Sequence, residues 1–422
     1  MGSYKDTFHG EVEQLKNYCK SITDCHHSTP AYIQTGKLVI RNFNIKNGRM
    51  VLDKTYFTDE DNFNQRTSRA KPESEDLIIT REAPMGEVCI IPEGMVCCLG
   101  QRMVLIKPDF KKVDNKYLLY SLLSEYTQIQ IGKSNNTGSI VSNLRIPLLK
   151  ELLIPKNELA TQQKIGNILG SIDKKIELNN KINTELEAMA KLIYDYWFVQ
   201  FDYPDANGKP YKTSGGKMVY NEILKRAIPD GWEVGTLLDI AIFTNGIACQ
   251  KYRPDINEPY YNVIKIREMG AGFTEKSEFV SHEIPDKVVV NNGDVLFSWS
   301  ATLDVKIWTG GTGGLNQHIF KVTSNNYSRT YYYFEVLQYL QHFKMIAELR
   351  KTTMGHITQD HLKQSRISIP PVKLIETLHK KIDPILNKVI KGKEENLKLA
   401  ELRDWLLPML MNGQVTVKDS FN

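Results

Sequence analysis

No stretch of this sequence approaches the roughly 20 apolar residues that a membrane span requires. The N-terminal MGSYKDTFHGEVEQL holds no apolar core of the kind a secretion signal needs. A cytoplasmic chain is therefore expected. Cysteine is scarce and irregularly spaced: Cys19, Cys25, Cys89, Cys97, Cys98 and Cys249 are the six in 422 residues. That spacing fits a reduced, cytosolic chain better than a disulfide framework. Cys19, Cys25, His26 and His27 crowd together, but no second ligand pair follows at finger-like distance, so no metal site is expected there. An excess of one charge is also lacking. Lys and Arg total 54 against 49 Asp and Glu, a net charge of +5. Such a balance permits a nucleic-acid partner without marking one, and any phosphate-binding face must come from arrangement.

Catalytic motifs are missing as well. There is no G-x-x-x-x-G-K-S/T, because Gly132-Lys133-Ser134 lacks the upstream glycine, which excludes a P-loop ATPase. The glycine cluster from Gly310 to Gly314 leads into LNQHIF rather than a helix, and reads as a turn-rich loop. No Asn/Asp-Pro-Pro-Tyr/Phe tetrapeptide, the mark of amino-methylation of a base, occurs. Pro285-Asp286 followed by Asp304-Val305-Lys306 imitates the carboxylate and lysine set of Mg²⁺-dependent nucleases. The first half has no counterpart to it, so it reads as chance. A nuclease with a degenerate metal site is one alternative reading, and a two-domain protein-binding scaffold is another.

What the chain does have is a copy of itself. Gly138 and Gly355, Ile140 and Ile357, Ile165 and Ile382, Ile168 and Ile385, and Leu169 and Leu386 all lie 217 residues apart. That period is far too long for a solenoid, whose units run roughly 20–50 residues. The order of elements repeats too: GDVLFSW answers EDLIITR, and GLNQHIFKV answers CLGQRMVLI, placing Gln317 against Gln101. Residues 1–155 read as a strand-rich mixed domain, with Val- and Ile-rich runs at Leu38–Arg41, Leu77–Thr80, Glu87–Ile91 and Met103–Ile106. Residues 156–200 read as one long amphipathic helix of about 60 Å. Ile165, Ile172, Leu186 and Ile193 lie on its apolar stripe, and Asn179 sits there as a register-setting polar residue. Residues 201–230, rich in Pro, Gly and Ser, read as a linker. A second domain over 231–371 and a second long helix over 372–413 follow, the latter carrying Ile382, Val389, Leu402 and Leu406 on its stripe. Gly392 weakens the middle of this helix, Pro408 kinks or ends it, and Gly413 stops it, leaving a tail over 414–422. Two such helices bury their stripes most economically against each other. Run antiparallel, they form a pair with pseudo-twofold symmetry and a domain at either end.

Polar residues at strand ends and in loops are the remaining candidates for recognition. They are Arg41, Asn42, Arg81, Gln101, Arg102, Lys133, Asn136 and Asn143 in the first domain. In the second they are Lys265, Arg267, Trp299, Asn316, Gln317, His318, Lys351 and His356. Arginine reads guanine with two hydrogen bonds, Asn and Gln read adenine, and Lys anchors phosphate.

The combination of IPDGWEV opening the second half, YDYWFVQFDYP closing the first helix and LRDWLLPMLMNGQV closing the second resembles the DNA-specificity subunit of type I restriction–modification systems. The resemblance covers essentially the whole chain. It implies an α+β fold in which two strand-rich α/β target-recognition domains are joined by two long antiparallel coiled-coil helices, as a pseudo-twofold internal repeat. It implies that each domain reads half of an asymmetric bipartite site on double-stranded DNA. It further implies that the helix stripes, Ile165 through Leu406, set the spacing and dock two methyltransferase subunits, and that a restriction/translocase subunit joins them. S-adenosylmethionine, ATP and Mg²⁺ would belong to those partners, and this chain would hold no active site. The recognition domains match the family only in framework, so base-reading residues do not carry over.

Overall fold

The structure, a computed structural model, describes residues 8, 10–133, 143–349 and 356–417. The chain divides into two compact units, Met1–Ile176 with Leu399–Asn422, and Glu177–Lys398. Asn136 and Lys351, like Gly138, Ile140 and Gly355, lie outside the described residues.

Both units are built on one plan. In the first, a four-stranded antiparallel sheet runs Cys19–Asp24, Met103–Pro108, Leu77–Thr80, Val88–Ile90. In the second, the order Ile242–Asn245, Ile319–Thr323, Val295–Ser298, Asp304–Ile307 repeats it strand for strand. A second sheet, of three strands in the first unit and four in the second, contains one parallel pair in each, Lys37–Ile40 with Cys97–Leu99 and Tyr260–Ile264 with Gly313–Leu315. A two-stranded ladder closes each, Val12–Gln14 on Leu153–Pro155 and Glu233–Thr236 on Arg366–Ile369. Leu77, Ile78 and Ile79 are fully buried, as are Val295, Leu296 and Phe297. These continuous apolar runs are what a strand covered on both faces needs, and they explain the absence of alternation in the sequence. The helical stretch after the first sheet is two helices, Asn115–Leu123 and Glu125–Lys133, whereas its counterpart is a single helix, Arg329–Leu349.

The two helical-period segments are continuous α-helices, Leu159–Tyr194 and Val372–Met411. The first passes into a π-helical turn at Asp195–Val199, and its end belongs to the second unit's core. There Tyr194 stacks on Phe334 at 4.8 Å between ring centroids, and Phe198 and Phe201 meet Trp232 edge-on at 5.5 and 5.2 Å. Each such pair contributes about 1 kcal/mol beyond the area it buries. The end of the second helix belongs to the first unit, whose core holds Leu410 and Met411. Neither helix therefore docks only on the domain that precedes it. Pro408 does not end the second helix, which runs to Met411 before Gly413 turns at φ 68°. Gly392 does not weaken its middle either. A Cβ there would lie 2.6 Å from the Asn183 Oδ1, so the glycine lets Asn183 of the first helix approach.

Two further expectations change. Residues 201–230 are not a plain linker: Met218–Asn221 and Arg226–Pro229 form a register-matched hairpin. The half-exposed loop before it is tied by Asp202, which accepts from the Thr213 backbone N–H at 2.8 Å and from its hydroxyl at 2.6 Å. The Pro- and Gly-rich flank masks a short period-2 run. The stripe residues expected to dock partner subunits are mostly consumed inside the chain. Ile165, Ile172, Asn179, Ile382 and Val389 are buried, Leu186, Ile193 and Leu406 are half-buried, and Leu402 alone of the set is exposed. Leu178, Ile182, Met189 and Leu192 of the first helix are exposed instead, with Tyr196 in the π-helical turn that follows.

Candidate nucleic-acid interface

The recognition candidates gather where the strands of the two sheets end. In the first unit, the strand Leu77–Thr80 delivers Arg81 into a tight turn. Thr80 Oγ1 donates to the Pro84 carbonyl at 2.6 Å, and Ala83 takes φ 47°. In the second, Val295–Ser298 delivers Trp299 into the same turn. Ser298 Oγ donates to the Thr302 carbonyl at 2.7 Å, and Ala301 takes φ 56°. Two backbone bonds then hold the neighbouring segments identically. The Arg81 N–H donates to the Arg102 carbonyl at 2.7 Å, as Trp299 does to His318 at 3.3 Å. The Leu144 N–H donates to the Arg81 carbonyl at 3.0 Å, as Ile357 does to Trp299 at the same distance. The structural counterpart of Ile357 is thus Leu144, not Ile140. The spacing of the two copies is 213 residues here and 217 in the helices.

The side chains on this shared frame differ. Arg81 is buried; its guanidinium donates to both carboxylate oxygens of Asp24 at 2.9 and 2.7 Å, to the Leu144 carbonyl at 3.0 Å and to Asn143 Oδ1 at 3.0 Å. That geometry leaves it no fork for a base, so Arg81 and Asn143 hold the edge together. Arg102 sits at φ 68° with its side chain 51 % exposed and pairs with Glu82 at 3.2 Å. Gln101 donates to the His27 carbonyl, and Asn42 donates to the Ala83 carbonyl at 2.6 Å. Arg41 lies over the rings of Tyr32, Phe43 and Tyr56 at 5.7, 5.2 and 5.2 Å. This cation–π cluster fixes its stem while leaving the charge near solvent. Lys133 is the last residue of the helix Glu125–Lys133.

In the second unit Trp299 stands between His318 and His356, each at 5.6 Å between ring centroids, and its indole N–H donates to Asn245 Oδ1 at 3.1 Å. The Nδ1 atoms of both histidines are buried without a hydrogen-bond partner among the described residues. Gln317 lies beside His318 at 3.4 Å. The buried Asn316 donates its N–H to the Ile264 carbonyl at 3.1 Å, as Gly100 does to Ile40 at 2.7 Å. Lys265 and Arg267 are drawn off: the first pairs with Glu278 at 2.5 Å, and the second with Glu268 at 2.5 Å and the Lys276 carbonyl at 2.9 Å. Of the nuclease-like set, Asp304 and Lys306 pair with each other at 3.3 Å, and among the described residues no three His, Cys, Asp or Glu converge as a metal site.

Sequence reasoning missed Arg66. It is buried and, among the described residues, pairs with no carboxylate. Its guanidinium donates to the carbonyls of Leu99, Ser28 and His26 at 2.6, 2.8 and 2.9 Å. These carbonyls lie on the two segments that flank Gln101. Nothing in its helical run FNQRTSR marks this arginine, because its partners lie 33 to 40 residues away.

The fold is thus a duplicated domain with a long helix after each copy, carrying unlike polar edges on a common frame. Residues 27–188 and 229–401 match the family model of the type I restriction modification DNA specificity domain. The MjaIX specificity subunit of Methanocaldococcus jannaschii is 26% identical over 352 residues, covering 81% of this chain and 78% of the relative. The HindI specificity subunit of Haemophilus influenzae is 24% identical over 380 residues, covering 75% and 81%. The crystal structure of the S subunit from M. genitalium superposes with a TM-score of 0.59 at 14% identity, covering 99% of both chains. The chain belongs to the type I restriction–modification DNA specificity family, and DNA target recognition is its role. No helix among the described residues is long and apolar enough to cross a membrane.

Proposed function

We propose that this chain is the non-catalytic, sequence-reading subunit of a type I restriction–modification complex, each domain contacting one half of an asymmetric bipartite site on double-stranded DNA. The observation that carries this reading is the pair of unlike edges on one repeated frame: Arg81, Arg102 and Asn143 in one copy, Trp299, His318 and His356 in the other. Identical edges would read a repeated or palindromic site, whereas unlike edges require unlike half-sites. Two methyltransferase subunits, using S-adenosylmethionine, bind the helices, and a restriction/translocase subunit, using ATP and Mg²⁺, completes the complex. The exposed series Leu178, Ile182, Met189, Leu192 and Tyr196 supports the docking part. Its steps of three, four and seven make a heptad seam that the first helix leaves uncovered.

Co-expression with the methyltransferase subunits of the same system, followed by single-molecule mapping of methylated adenines, tests the reading. The expected result is one asymmetric motif with a fixed gap. A palindromic motif, or methylation without sequence preference, overturns it. Affinity of the assembled complex for DNA should also fall steeply with salt, as phosphate contacts require.

A further inference from the structure

The repeated frame brings three positions together in each domain, and they are equivalent by hydrogen bonding rather than by sequence. Arg81 corresponds to Trp299, because both follow the strand that ends in Thr80 or Ser298 and both begin the turn closed by that hydroxyl. Arg102 corresponds to His318, because each gives its carbonyl to the first position's N–H. Asn143 corresponds to His356, because the next residue, Leu144 or Ile357, donates its N–H to the first position's carbonyl. The side chains meet as well: Arg81 donates to Asn143 at 3.0 Å, and the Trp299 ring touches both imidazoles.

We propose that these triplets, Arg81/Arg102/Asn143 and Trp299/His318/His356, are the specificity-determining positions of the two domains, and that within each the middle residue selects the base. The inference rests on the DNA-reading role proposed above. In the first triplet the outer residues are occupied by Asp24 and by each other, which fixes the frame and leaves Arg102 as the exposed guanidinium. A guanidinium presented at a groove selects guanine through O6 and N7. In the second triplet no guanidinium stands at this place. The indole and the two imidazoles present ring faces and edges, so the base accepted opposite His318 differs from that opposite Arg102. Glu82, which pairs with Arg102, has Ser300 as its counterpart, so an arginine introduced at 318 meets no carboxylate from that position.

The test is a reciprocal exchange in the full complex, Arg102→His and His318→Arg, with methylated adenines mapped genome-wide. Arg102→His is expected to relax a guanine requirement in one half-site by on the order of 10- to 100-fold, leaving the other half-site unchanged. His318→Arg is expected to impose a guanine at a position of the other half-site where the parent chain does not demand one. The untouched half-site in each variant reports that the protein is folded and assembled. If either exchange leaves its own half-site consensus as it was, or weakens methylation equally at all sequences, the triplet assignment is wrong. Loss of any sequence-specific methylation in the parent complex would instead refute the DNA-reading role itself.

Discussion

Asn179 donates from its side-chain amide to Oδ1 of Asn396 at 2.9 Å, and the two residues are 217 positions apart, the spacing of the two helices in the repeat. Each asparagine is thus the other's counterpart, and the local twofold of the helix pair passes between them. Asn179 is only 6 % exposed and also donates to Glu395 at 2.8 Å, while Asn396 donates to Asn180 at 2.8 Å. Lys393 reaches Glu187 at 2.6 Å nearby. Along this stretch the first helix ascends in number as the second descends, which is antiparallel pairing. An antiparallel pair centred on two equivalent asparagines can satisfy both amides in one register only.

Removing one of these partners should therefore cost more than removing both. Asn179→Leu takes one donor away from Asn396, which is half-buried, and from Glu395, which is exposed, for a loss of about 1 kcal/mol. The double variant Asn179→Leu/Asn396→Leu should recover most of that loss. The recovery should come with weaker specification of register. Urea unfolding of the parent, the two single variants and the double variant gives the coupling energy. Additive losses would show that the pair has no joint role.

Arg66 is expected to act through the segments it ties. Arg66→Ala leaves the Leu99, Ser28 and His26 carbonyls without their charged donor, a cost of about 3 kcal/mol. Arg66→Lys should restore less than half of this, because a compact ammonium cannot reproduce the planar fork that serves three diverging acceptors. Hydrogen-exchange mass spectrometry should show faster exchange around 26–28 and 99–102 with no change in the second domain. Uniform protection in Arg66→Ala would remove the positioning role.

How much of this was legible before the structure differs by level. The strands and both long helices could be read because Val- and Ile-rich runs and a 3.6-residue period are local signals. The match of EDLIITR to GDVLFSW already set Arg81 against Trp299. What could not be read is which candidates are spent internally. Arg81 meets Asp24 across 57 residues, and Arg66 meets Ser28 across 38, so neither partner is visible in a sequence window. Asn396 was within reach: adding the repeat spacing to Asn179 points to it directly. Leu144 was not, because the two copies differ in length between the recognition edge and the helix, and a single spacing misassigns the pair.

The second domain should carry a pH dependence from Glu335. Burial pushes its carboxyl up to about 7 from an ordinary 4.5, against the Tyr194 hydrogen bond and the Arg226 charge, which favour the ionised form. The folded state therefore holds this proton over a range where the unfolded chain has released it. The contribution of Glu335 is most favourable below about pH 4.5 and is lost as pH rises through about 7. A shift of that size corresponds to at most about 3 kcal/mol. Glu335→Gln keeps a hydrogen-bonding group without the charge. It should flatten this part of the stability profile and leave the variant more stable than the parent at pH 8. Parallel profiles between pH 5 and 8 for the two proteins would show that Glu335 keeps the same proton occupancy folded and unfolded.

The uncovered seam of the first helix gives the sharpest test of partner docking. Leu178, Met189 and Leu192 are 52, 51 and 66 % exposed, so none contributes much to the fold by burial. Leu192→Asp combined with Met189→Asp should leave the melting temperature of the isolated chain within a few degrees of the parent. The same charges would have to be desolvated against an apolar partner face. Each should cost several kcal/mol there, enough to abolish assembly with the methyltransferase at micromolar concentration. Size-exclusion chromatography of co-expressed subunits reads the result directly. A control change in the inward stripe, Ile172→Asp, should fail differently, by unfolding the chain before assembly is reached. Retention of the complex by the Met189/Leu192 double variant would place the methyltransferase on another face.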